Sequence, residues 1–431
     1  MAPRTMSAAE AVALMRPVDT VGFGLGPANP PAIITAMGER TDWEDLTIGG
    51  ALLLGLFNLL AHEHVHYRCG FFGPAERLYA AQGADIQHVP GGFRQFAPIL
   101  ERMAPRVMVV QATPPQADGT VNLSLHHGAT REGLLAAGAD PERLLIVETN
   151  PNLPVTSAYE GYDNTLPLDL IDVIVEANDP IFELPEPPTT EADAQIAAHA
   201  LALIPENATL QTGIGAIPTM VATQLAQRPG GSYGIHSEMF TDGLHRLCEA
   251  GKVTNRGKGE FEGVSITTFA LGSKALYDFL DGNEQVAFLP VSVVNDPSII
   301  GRNANFISIN GAIAVDLYGQ VVADAIDGRQ ISGVGGHEDF VAGADLEADD
   351  RSMICLRSTV EVNGELVSRI LPSLPAGAVV STPRHHTGTV VTEFGAVDLA
   401  GATVRERAEA LVGIAHPQFR DELLEAARSL G

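Results

Sequence analysis

Short apolar runs alternate with amphipathic segments along the chain. Runs of strand length, rich in β-branched residues or leucine, are Val107 to Val110, Leu144 to Val147, Ile171 to Val175 and Val286 to Val294. A helical pattern, Arg131 to Leu135, separates the first two. Strands that are apolar on both faces and separated by helices are typical of parallel sheets covered by helices on either side. The pattern therefore predicts an open α/β architecture with mainly parallel sheets.

A glycine-rich turn between a strand and a helix occurs once in each half of the chain. In the first half, Val21 to Gly26 leads to a helix that starts around Pro30. In the second half, Gly213-Ile214-Gly215 is followed by Pro218 and a helix over Thr219 to Gln227. Such a turn can aim main-chain N–H groups at an anion, although a tight turn without a ligand satisfies the same pattern. Pro218 stands where a dinucleotide motif needs its third glycine. The shared order of elements predicts two related open α/β domains.

A proline-rich stretch divides the chain. Pro185, Pro187 and Pro188 cannot belong to one helix and indicate a stiff extended crossing. Thr190, followed by acidic residues, then begins a new helix by capping its first turn. With 431 residues, the chain is too long for one ordinary core. We therefore expect an N-terminal domain over residues 1–188 and a C-terminal domain over residues 189–431.

The composition limits the partners of the protein. Asp and Glu number 53 against 26 Lys and Arg, which gives a formal net charge of −27. Nucleic acid and anionic membrane surfaces would repel such a chain, while main-chain donors could still bind an anionic small molecule. The longest apolar stretch, Ile48 to Ala61, is interrupted by glycines and is shorter than the ~20 residues of a membrane-spanning helix. Three widely spaced cysteines indicate no disulfide framework, and no signal-peptide pattern opens the chain, so we expect a cytoplasmic protein.

Three alternating histidines, His62, His64 and His66, suggest a metal site at first sight. On a strand, residues two apart are separated by ~6.6 Å and residues four apart by ~13 Å, so one ion with bonds of about 2 Å cannot reach all three. In a helix, only the outer two would share a face. We therefore expect no metal.

Candidate chemistry concentrates around one glutamate. The β-type run Tyr233 to His236 ends close to Glu238, and a new helix starts near Thr241 or Asp242. Glu238 thus lies where a strand ends and a helix begins, and this edge of an open α/β sheet is where ligands bind. On local sequence alone, an exposed loop glutamate explains the pattern as well. Further along, Ile331 to Phe340 is predicted to be a loop, with three glycines within four residues that would let main chain approach a ligand closely.

Several stretches of the chain carry the motifs of one enzyme family. The stretch Gly234 to Gly243 resembles the active-site signature of the acetyl-CoA hydrolase/transferase family of class I CoA-transferases. Further matching motifs follow in the family's order: Gly213 to Gly215, Val315 to Gln320, Ser332 to Phe340, Val391 to Leu399, Arg405 to Ala408 and Ala415 to Arg420. Similarity extends to the first half at Arg77, Val89 to Pro90, Gln111 to Pro115 and Asn150 to Pro154. Length and motif set are nearest to the 4-hydroxybutyrate and butyryl-type CoA-transferases.

The resemblance implies two α/β domains of the CoA-transferase type and a covalent mechanism. Glu238 is the position that matches the family's nucleophile. Its carboxylate would displace the CoA thiolate from a short-chain acyl-CoA, and the resulting anhydride would become a glutamyl-CoA thioester that a free carboxylic acid attacks, with ping-pong kinetics. The resemblance also makes Asn295 the residue that orients the glutamate. The amides of Ile214 and Gly336 would donate to each carbonyl oxygen that becomes charged.

The resemblance also implies that coenzyme A binds along the glycine-rich loops as a substrate, and that no metal takes part. The positions are Gly213, Ile214, Gly215, Ala216, Ile217, Ala312, Ser332, Gly333, Gly335 and Gly336. The chain departs from the family at His337, where Gln is usual, and at Glu338, where a hydrophobic residue is usual. These side chains could change the choice of acceptor acid or introduce a pH dependence. Phe72 and Phe93 in the first domain are candidates for the wall of a small acyl pocket. The family also implies a homo-oligomer.

Two other functions remain compatible with the sequence. Water could intercept the same acyl-enzyme, which would make the protein a short-chain acyl-CoA hydrolase with Glu238 in the same role. The chain could also bind acyl-CoA without catalysis, although the intact Glu238 stretch and both glycine-rich loops argue against this. Transfer of CoA between acids of the acetate, butyrate or 4-hydroxybutyrate type is the leading hypothesis.

Overall fold

The computed structural model describes residues 2–344, 346–347 and 349–430. These residues form two compact units. The first contains the chain up to Leu184 together with two later segments, residues 267–293 and 331–335, and the second contains residues 185–266, 294–330 and the chain from Gly336 onward. The chain leaves the first unit within the proline-rich stretch, a few residues before the break expected at 188, whereas the two later segments were not foreseen. As a division into domains, 1–188 and 189–431 stays a prediction.

Strands and helices alternate through most of the described chain. The strands are β1 Arg4–Met6, β2 Val18–Phe23, β3 Asp45–Gly50, β4 Val65–Cys69, β5 Ile86–His88, β6 Val107–Ala112, β7 Thr120–Asn122, β8 Leu144–Thr149, β9 Thr165–Pro167, β10 Val173–Glu176, β11 Thr209–Thr212, β12 Gly234–Ile235, β13 Met239–Phe240, β14 Ser265–Thr267, β15 Phe269–Ala270, β16 Val286–Phe288, β17 Phe306–Gly311, β18 Ala314–Asp316, β19 Val321–Val322, β20 Ala325–Ile326, β21 Arg329–Gln330, β22 Arg351–Cys355, β23 Thr359–Val362, β24 Glu365–Ser368, β25 Ile370–Leu371, β26 Thr389–Thr392 and β27 Gly395–Asp398. The helices are α1 Ala8–Val12, α2 Pro31–Glu39, α3 Pro74–Ala81, α4 Phe96–Met103, α5 Arg131–Ala139, α6 Glu191–Leu201, α7 Ala216–Gln227, α8 Asp242–Glu249, α9 Lys274–Leu280, α10 Val291–Val294, α11 Pro297–Ile300, α12 His337–Ala344, α13 Val404–Gly413 and α14 Arg420–Arg428. None of these described helices is both long and apolar enough to cross a membrane.

The first unit is built on an eight-stranded sheet. Its strand order is β1-β10-β8-β6-β2-β3-β4-β5, and every neighbouring pair is parallel. Successive residues of β6 belong to two different hydrophobic clusters: Val107 and Val109 pack with residues of α1 and α2, whereas Met108 and Val110 pack with residues of α5. Because side chains alternate across a strand, helices cover both faces of the sheet. The predicted α/β class with mainly parallel sheets is confirmed.

The second unit is built on a six-stranded sheet of order β12-β11-β17-β22-β26-β27, which is parallel except for the last pair. Its first helix, α6, starts where the sequence predicted. The hydroxyl of Thr190 accepts a hydrogen bond from the amide of Asp193, and the carboxylate of Asp193 accepts one from the amide of Thr190. Arg357 donates twice to the same buried carboxylate, at 2.6 and 2.8 Å. The cap and the ion pair together fix α6 against the loop that follows β22.

The glycine-rich turn of the first half leads to a helix whose first amides are bonded to an acidic side chain of the protein. α2 starts at Pro31, and the amides of Ala32 and Ile33 donate to the carboxylate of Glu148 on β8, at 3.3 and 2.9 Å. Glu148 is fully buried, and burial raises its pKa to about 7. In the second half, α7 begins at Ala216, and its N-cap residue is Gly215, which has no side chain to cap the first amides. The two turns therefore share their order of elements but differ in what neutralises the helix start.

The prediction of one strand over Val286 to Val294 was wrong. β16 ends at Phe288, and Val291–Val294 form the short helix α10. Pro290 stands between them and cannot donate to a strand ladder. A short apolar run does not distinguish a strand from a helix by its periodicity, so the valines alone could not decide this.

The predicted loop Ile331 to Phe340 is shorter than expected. It ends at Gly336, because His337 is the first residue of α12. Acidic side chains at the second and third helical positions, Glu338 and Asp339, favour a helix start at this point, since they complement the positive end of the helix dipole. The last part of the predicted loop is therefore a rigid helical turn.

Candidate active site

Glu238 lies in the short connection between β12 and β13. β12 runs parallel to β11, so this connection emerges at the carboxyl edge of the second sheet. Ser237 holds the connection in place: its hydroxyl donates to the carbonyl of Met239 at 2.9 Å, and its amide donates to the carbonyl of Ile266 at 3.0 Å. The structure thus places Glu238 after a strand and shortly before α8, where the sequence pattern put it.

Two buried basic side chains support this segment. Nζ of Lys258 donates to the carbonyls of Ile235 and Val264, both at 2.8 Å. Nε2 of His236 donates to the carbonyl of Val294 at 2.8 Å. Burial lowers the pKa of Lys258 to about 7 and the pKa of His236 to about 3, so the imidazole is neutral at physiological pH. The strand before the candidate nucleophile is therefore bonded to the end of α10.

The carboxylate of Glu238 meets an amide side chain and lies near a second carboxylate. Nδ2 of Asn295 donates to Oε2 of Glu238 at 2.6 Å and to Oδ2 of Asp339 at 3.2 Å. Asn295 and Asp339 are buried, whereas Glu238 keeps part of its exposure. Burial of the carboxyl group raises the pKa of Glu238 to about 8; the hydrogen bond from Asn295 opposes this rise, and the charge of Asp339 adds to it. A strongly perturbed carboxyl group with an orienting partner is a candidate catalytic group.

Gly336 lies opposite this carboxylate, and its lack of a side chain leaves room for the carboxylate in its present position. A Cβ atom on Gly336 would lie 1.9 Å from Oε2 of Glu238 and 2.3 Å from Nδ2 of Asn295. Gly336 immediately precedes α12, and the first amides of a helix have no partner within the helix. The close approach of main chain to Glu238 therefore brings amide donors and the positive end of a helix dipole to the side of the carboxylate.

Two further predicted positions follow neighbouring strands of the second sheet. β11 and β17 are parallel neighbours. β11 leads directly into Gly213, and β17 ends at Gly311, next to Ala312. Because the carboxyl ends of parallel strands meet at one edge of a sheet, these loops emerge side by side at the edge where Glu238 also lies.

The rest of the first predicted CoA loop turns into α7. Gly215 has a φ of +125°, a conformation that side-chain-bearing residues rarely adopt. Ile214, just before it, exposes its side chain. Ala216 and Ile217 form the first turn of α7, so their amides also lack intrahelical partners. The loop is therefore shaped to present main-chain donors, and their use by CoA stays a prediction.

The other glycine-rich segment belongs, up to Gly335, to the first unit. Ser332, Gly333 and Gly335 lie there within residues 331–335. A Cβ atom on Gly333 would meet the carbonyl oxygen of Gly70 at 2.5 Å. The amide of Phe93 donates to the carbonyl of Gly335 at 2.8 Å. The glycines in this segment therefore allow it to pack directly on the main chain of the first unit.

Both aromatic residues predicted to line an acyl pocket border this segment. Phe72 is buried and packs edge-on against His88, with ring centroids 5.7 Å apart. Arg77 donates to the carbonyl of Phe72 at 3.1 Å and to the carbonyl of Ile331 at 2.5 Å. Phe93 is bonded to the segment through its amide. The structure thus brings Phe72 and Phe93 to the same region, while their role in acyl choice stays a prediction.

His337 and Glu338 occupy the first turn of α12. Nε2 of His337 lies 2.8 Å from the hydroxyl of Thr382, and burial lowers the pKa of His337 to about 4. Glu338 pairs with His386. The imidazole of His337 is therefore neutral across the physiological range, and any pH dependence from this residue would be confined to acid conditions. Its effect on the acceptor acid stays a prediction.

The three alternating histidines do not converge on one point. Nε2 of His62 contacts the carbonyl of Gly38 at 2.8 Å, and Nδ1 of His66 contacts the carboxylate of Asp85 at 2.6 Å. In the part of the chain that the structure describes, no group of three or more His, Cys, Asp or Glu side chains could hold a metal ion. The expectation that no metal takes part stays a prediction.

Sequence reasoning did not single out Asp339 or Lys258. Asp339 lies three residues after Gly336, and this spacing places Asp339 on the side of the first turn of α12 where Gly336 lies. The spacing was an available signal, but only for a helix that starts at His337. Lys258 offered no signal, because a lysine is almost always exposed and its burial depends on carbonyl groups distant in sequence.

The chain is similar to known proteins of one family. Residues 272–427 match the family model of the acetyl-CoA hydrolase/transferase C-terminal domain. The 4-hydroxybutyrate coenzyme A transferase of Clostridium kluyveri is 39% identical over 336 residues, which cover 78% of this chain and 74% of the relative. The chain belongs to the acetyl-CoA hydrolase/transferase family.

The similarity to acetyl-CoA hydrolase/transferase family members extends along nearly the whole chain. The butyryl-CoA:acetate CoA-transferase of Anaerostipes caccae is 33% identical over 437 residues, covering 98% of this chain and 95% of the relative. The crystal structure of RipA from Yersinia pestis is similar with a TM-score of 0.90 at 31% identity, over 99% of this chain and 97% of that one. The predicted family is confirmed, and this member is an enzyme of the CoA-transferase type.

Proposed function

We propose that this protein transfers CoA between a short-chain acyl-CoA and a free carboxylate through a covalent intermediate on Glu238. The observation that carries the proposal is the hydrogen bond of 2.6 Å from Asn295 to Glu238, opposite Gly336, where a Cβ atom would clash with both side chains in this arrangement. One carboxylate, oriented by an amide and approached by main chain, thus lies at the ligand edge of the sheet. Similarity to transferases named for 4-hydroxybutyrate, butyrate and acetate supports these acids as substrates.

The proposed reaction exchanges groups at two carbonyl carbons. A carboxylate oxygen of Glu238 bonds to the acyl carbon of the donor, and the C–S bond to CoA breaks, which leaves CoA thiolate and an acyl–glutamyl anhydride. The thiolate then attacks the glutamyl carbon and releases the donor acid, which leaves a glutamyl-CoA thioester. A second carboxylate repeats these steps in reverse. No net proton or electron is consumed, because each step replaces one carboxylate or thiolate with another.

Each addition places negative charge on a carbonyl oxygen next to Glu238. The amides of Ile214 and Gly336 are the proposed donors. Gly336 immediately precedes α12, and Ile214 lies two residues before α7, so both amides stand next to a helix start whose first-turn amides lack internal partners. One such donor is worth ~2.7–4 kcal/mol in catalysis. CoA itself would follow residues 213–217, 312 and 332–336. We also propose a cytoplasmic location, from the cysteine pattern of the sequence, and a homo-oligomer, from the similarity to the family.

Intact-mass measurement after incubation with butyryl-CoA tests this proposal. We expect a species heavier by one CoA less one water, which acetate discharges as acetyl-CoA. Glu238→Ala should abolish the adduct, whereas Glu249→Ala, which removes an exposed glutamate at the end of α8, should retain it. A wild-type protein that forms neither adduct nor acetyl-CoA would rule the proposal out. An adduct that survives in Glu238→Ala would assign the nucleophile to another residue.

Hydrolysis is the second candidate function. The partial exposure of Glu238 favours it, because water could reach the same glutamyl thioester. The two reactions differ in their need for an acceptor. A transferase forms acetyl-CoA from butyryl-CoA only when acetate is present, whereas a hydrolase releases free CoA at the same rate with and without acetate.

A further inference from the structure

Asp339 takes no part in the exchange of atoms described above, yet it lies against the groups that perform it. Its side chain is buried, with 6% exposure. Its Oδ2 and Oε2 of Glu238 both bind Nδ2 of Asn295, at 3.2 and 2.6 Å, so these two oxygens are within about 6 Å of each other. One amide nitrogen therefore serves two carboxylates, one through each of its hydrogens.

We propose that Asp339 is a positioning residue for the transfer reaction: it holds the Asn295 amide in the orientation that binds Glu238, and it keeps a second negative charge beside the nucleophile. This inference rests on the proposed role of Glu238. Oδ1 of Asn295 is buried and has no hydrogen-bond donor among the described residues. The orientation of the amide is therefore set from its nitrogen side. A flipped amide would point its oxygen at two carboxylates, which their charges oppose.

The second charge changes the balance between free and covalently modified enzyme. In the free enzyme, ionised Glu238 and Asp339 repel each other. In the anhydride and in the thioester the glutamyl carbonyl is uncharged, and this repulsion is gone. Asp339 thus raises the free energy of the free carboxylate relative to the covalent intermediate. The same repulsion makes Glu238 more basic, and a more basic carboxylate is the stronger nucleophile once it is ionised.

The other titratable groups around this segment form bonds elsewhere. His236 and Lys258 donate to main-chain carbonyls on the strand side of the site. On α12, His337 contacts a threonine and Glu338 pairs with a histidine of the loop before β26. Asp339, in contrast, acts directly on the carboxyl group of Glu238.

The pH dependence of kcat/KM for CoA transfer tests the inference in Asp339→Asn. This variant keeps a hydrogen-bond acceptor for Asn295 and removes the charge. We expect the acid limb of the profile to move to lower pH by on the order of one unit. Above that limb, the ratio of CoA adduct to free enzyme should fall about tenfold, the equivalent of one unit. Asp324→Asn, which changes a buried carboxylate bonded to Gln330 and Ser381, should leave both quantities unchanged.

A purely structural role predicts a different result. If Asp339 only stabilised α12, Asp339→Asn would lower kcat without moving the acid limb, and that result overturns the inference. A limb that moves to higher pH overturns it as well. Should Asp339→Asn fail to fold, Asp339→Ser removes the same charge with a smaller side chain and carries the same expectations. A wild-type enzyme without a CoA adduct would refute the proposed function instead, so the two failures are distinguishable.

Discussion

A single methyl group at Gly336 is a sharp test of the geometry around Glu238. In Gly336→Ala the new Cβ would lie 1.9 Å from Oε2 of Glu238 and 2.3 Å from Nδ2 of Asn295, whereas real Cβ atoms essentially never approach another atom within 3.0 Å. The carboxylate must therefore retreat by about 1 Å, and it loses the position in which Asn295 holds it. A displacement of about 1 Å at a reacting group can cost 100-fold in rate. We expect kcat to fall about 100-fold or more.

The stability of the same variant should change little. The obstructing atoms are the ends of two side chains, which can move without a shift of the main chain. We expect the free energy of unfolding to stay within about 1 kcal/mol of the wild type. Gly413→Ala is the matched control, because a Cβ at this position in α13 meets open space. Formation of acetyl-CoA from butyryl-CoA and acetate measures kcat, and chemical denaturation measures stability. A Gly336→Ala enzyme with kcat within about tenfold of the wild type would refute this reasoning.

Three further predictions concern titration and burial. Because ionised Glu238 is the proposed nucleophile and its pKa is raised to about 8, kcat/KM should rise with pH up to about 8 and then level off; a flat profile across that value contradicts this. Asn295→Ala removes a hydrogen bond that lowers this pKa, so the acid limb of the same profile should move to higher pH, opposite to Asp339→Asn, and an unmoved limb would exclude the hydrogen bond. Folding lowers the pKa of Lys258 from 10.5 to about 7, so above neutrality the unfolded chain binds the extra proton and wild-type stability rises with pH. Relative to Lys258→Met, the wild type should gain up to about 2 kcal/mol over two pH units in urea unfolding, and parallel pH dependences would contradict the burial of the amine.

Much of the fold can be predicted from local patterns in the sequence. The runs that became β6 and β8 are apolar on both faces and are separated by a helical pattern, and these two signals together indicate buried parallel strands. Thr190 and the acidic residues after it define the start of α6 through a cap that is local in sequence. The valines from Val286 to Val294 failed as a strand prediction because a short apolar run fits both periodicities. The local sequence therefore predicts secondary structure best where a capping residue or a turn decides between helix and strand.

The candidate site depends on contacts that no local pattern contains. Glu238 was found through the motif around it, and Asn295 through similarity to a family. The hydrogen bonds that join Asn295 to Glu238 and Asp339 span 57 and 44 residues of sequence. Asp339 in particular can be recognised as part of the site only once α12 is known to begin at His337, because this start places its side chain against the amide of Asn295. Contacts between residues this far apart in sequence form only when the sheet is assembled. The hydrophobic periodicity of the sequence therefore does not predict them.

Because Glu148 binds the first amides of α2, this helix start can serve as an internal control for ligand binding at the start of α7. The carboxyl oxygens of Glu148 accept hydrogen bonds from the amides of Ala32 and Ile33, so the first amides of α2 already have partners within the protein. The N-cap residue of α7 is Gly215, which has no side chain to cap the helix, so the first amides of α7 should respond when CoA occupies the proposed loop. Hydrogen exchange can be compared at these two helix starts with and without CoA. Slower exchange at the start of α7 alone would indicate local protection by CoA, whereas slower exchange at both would indicate a general decrease in the dynamics of the protein.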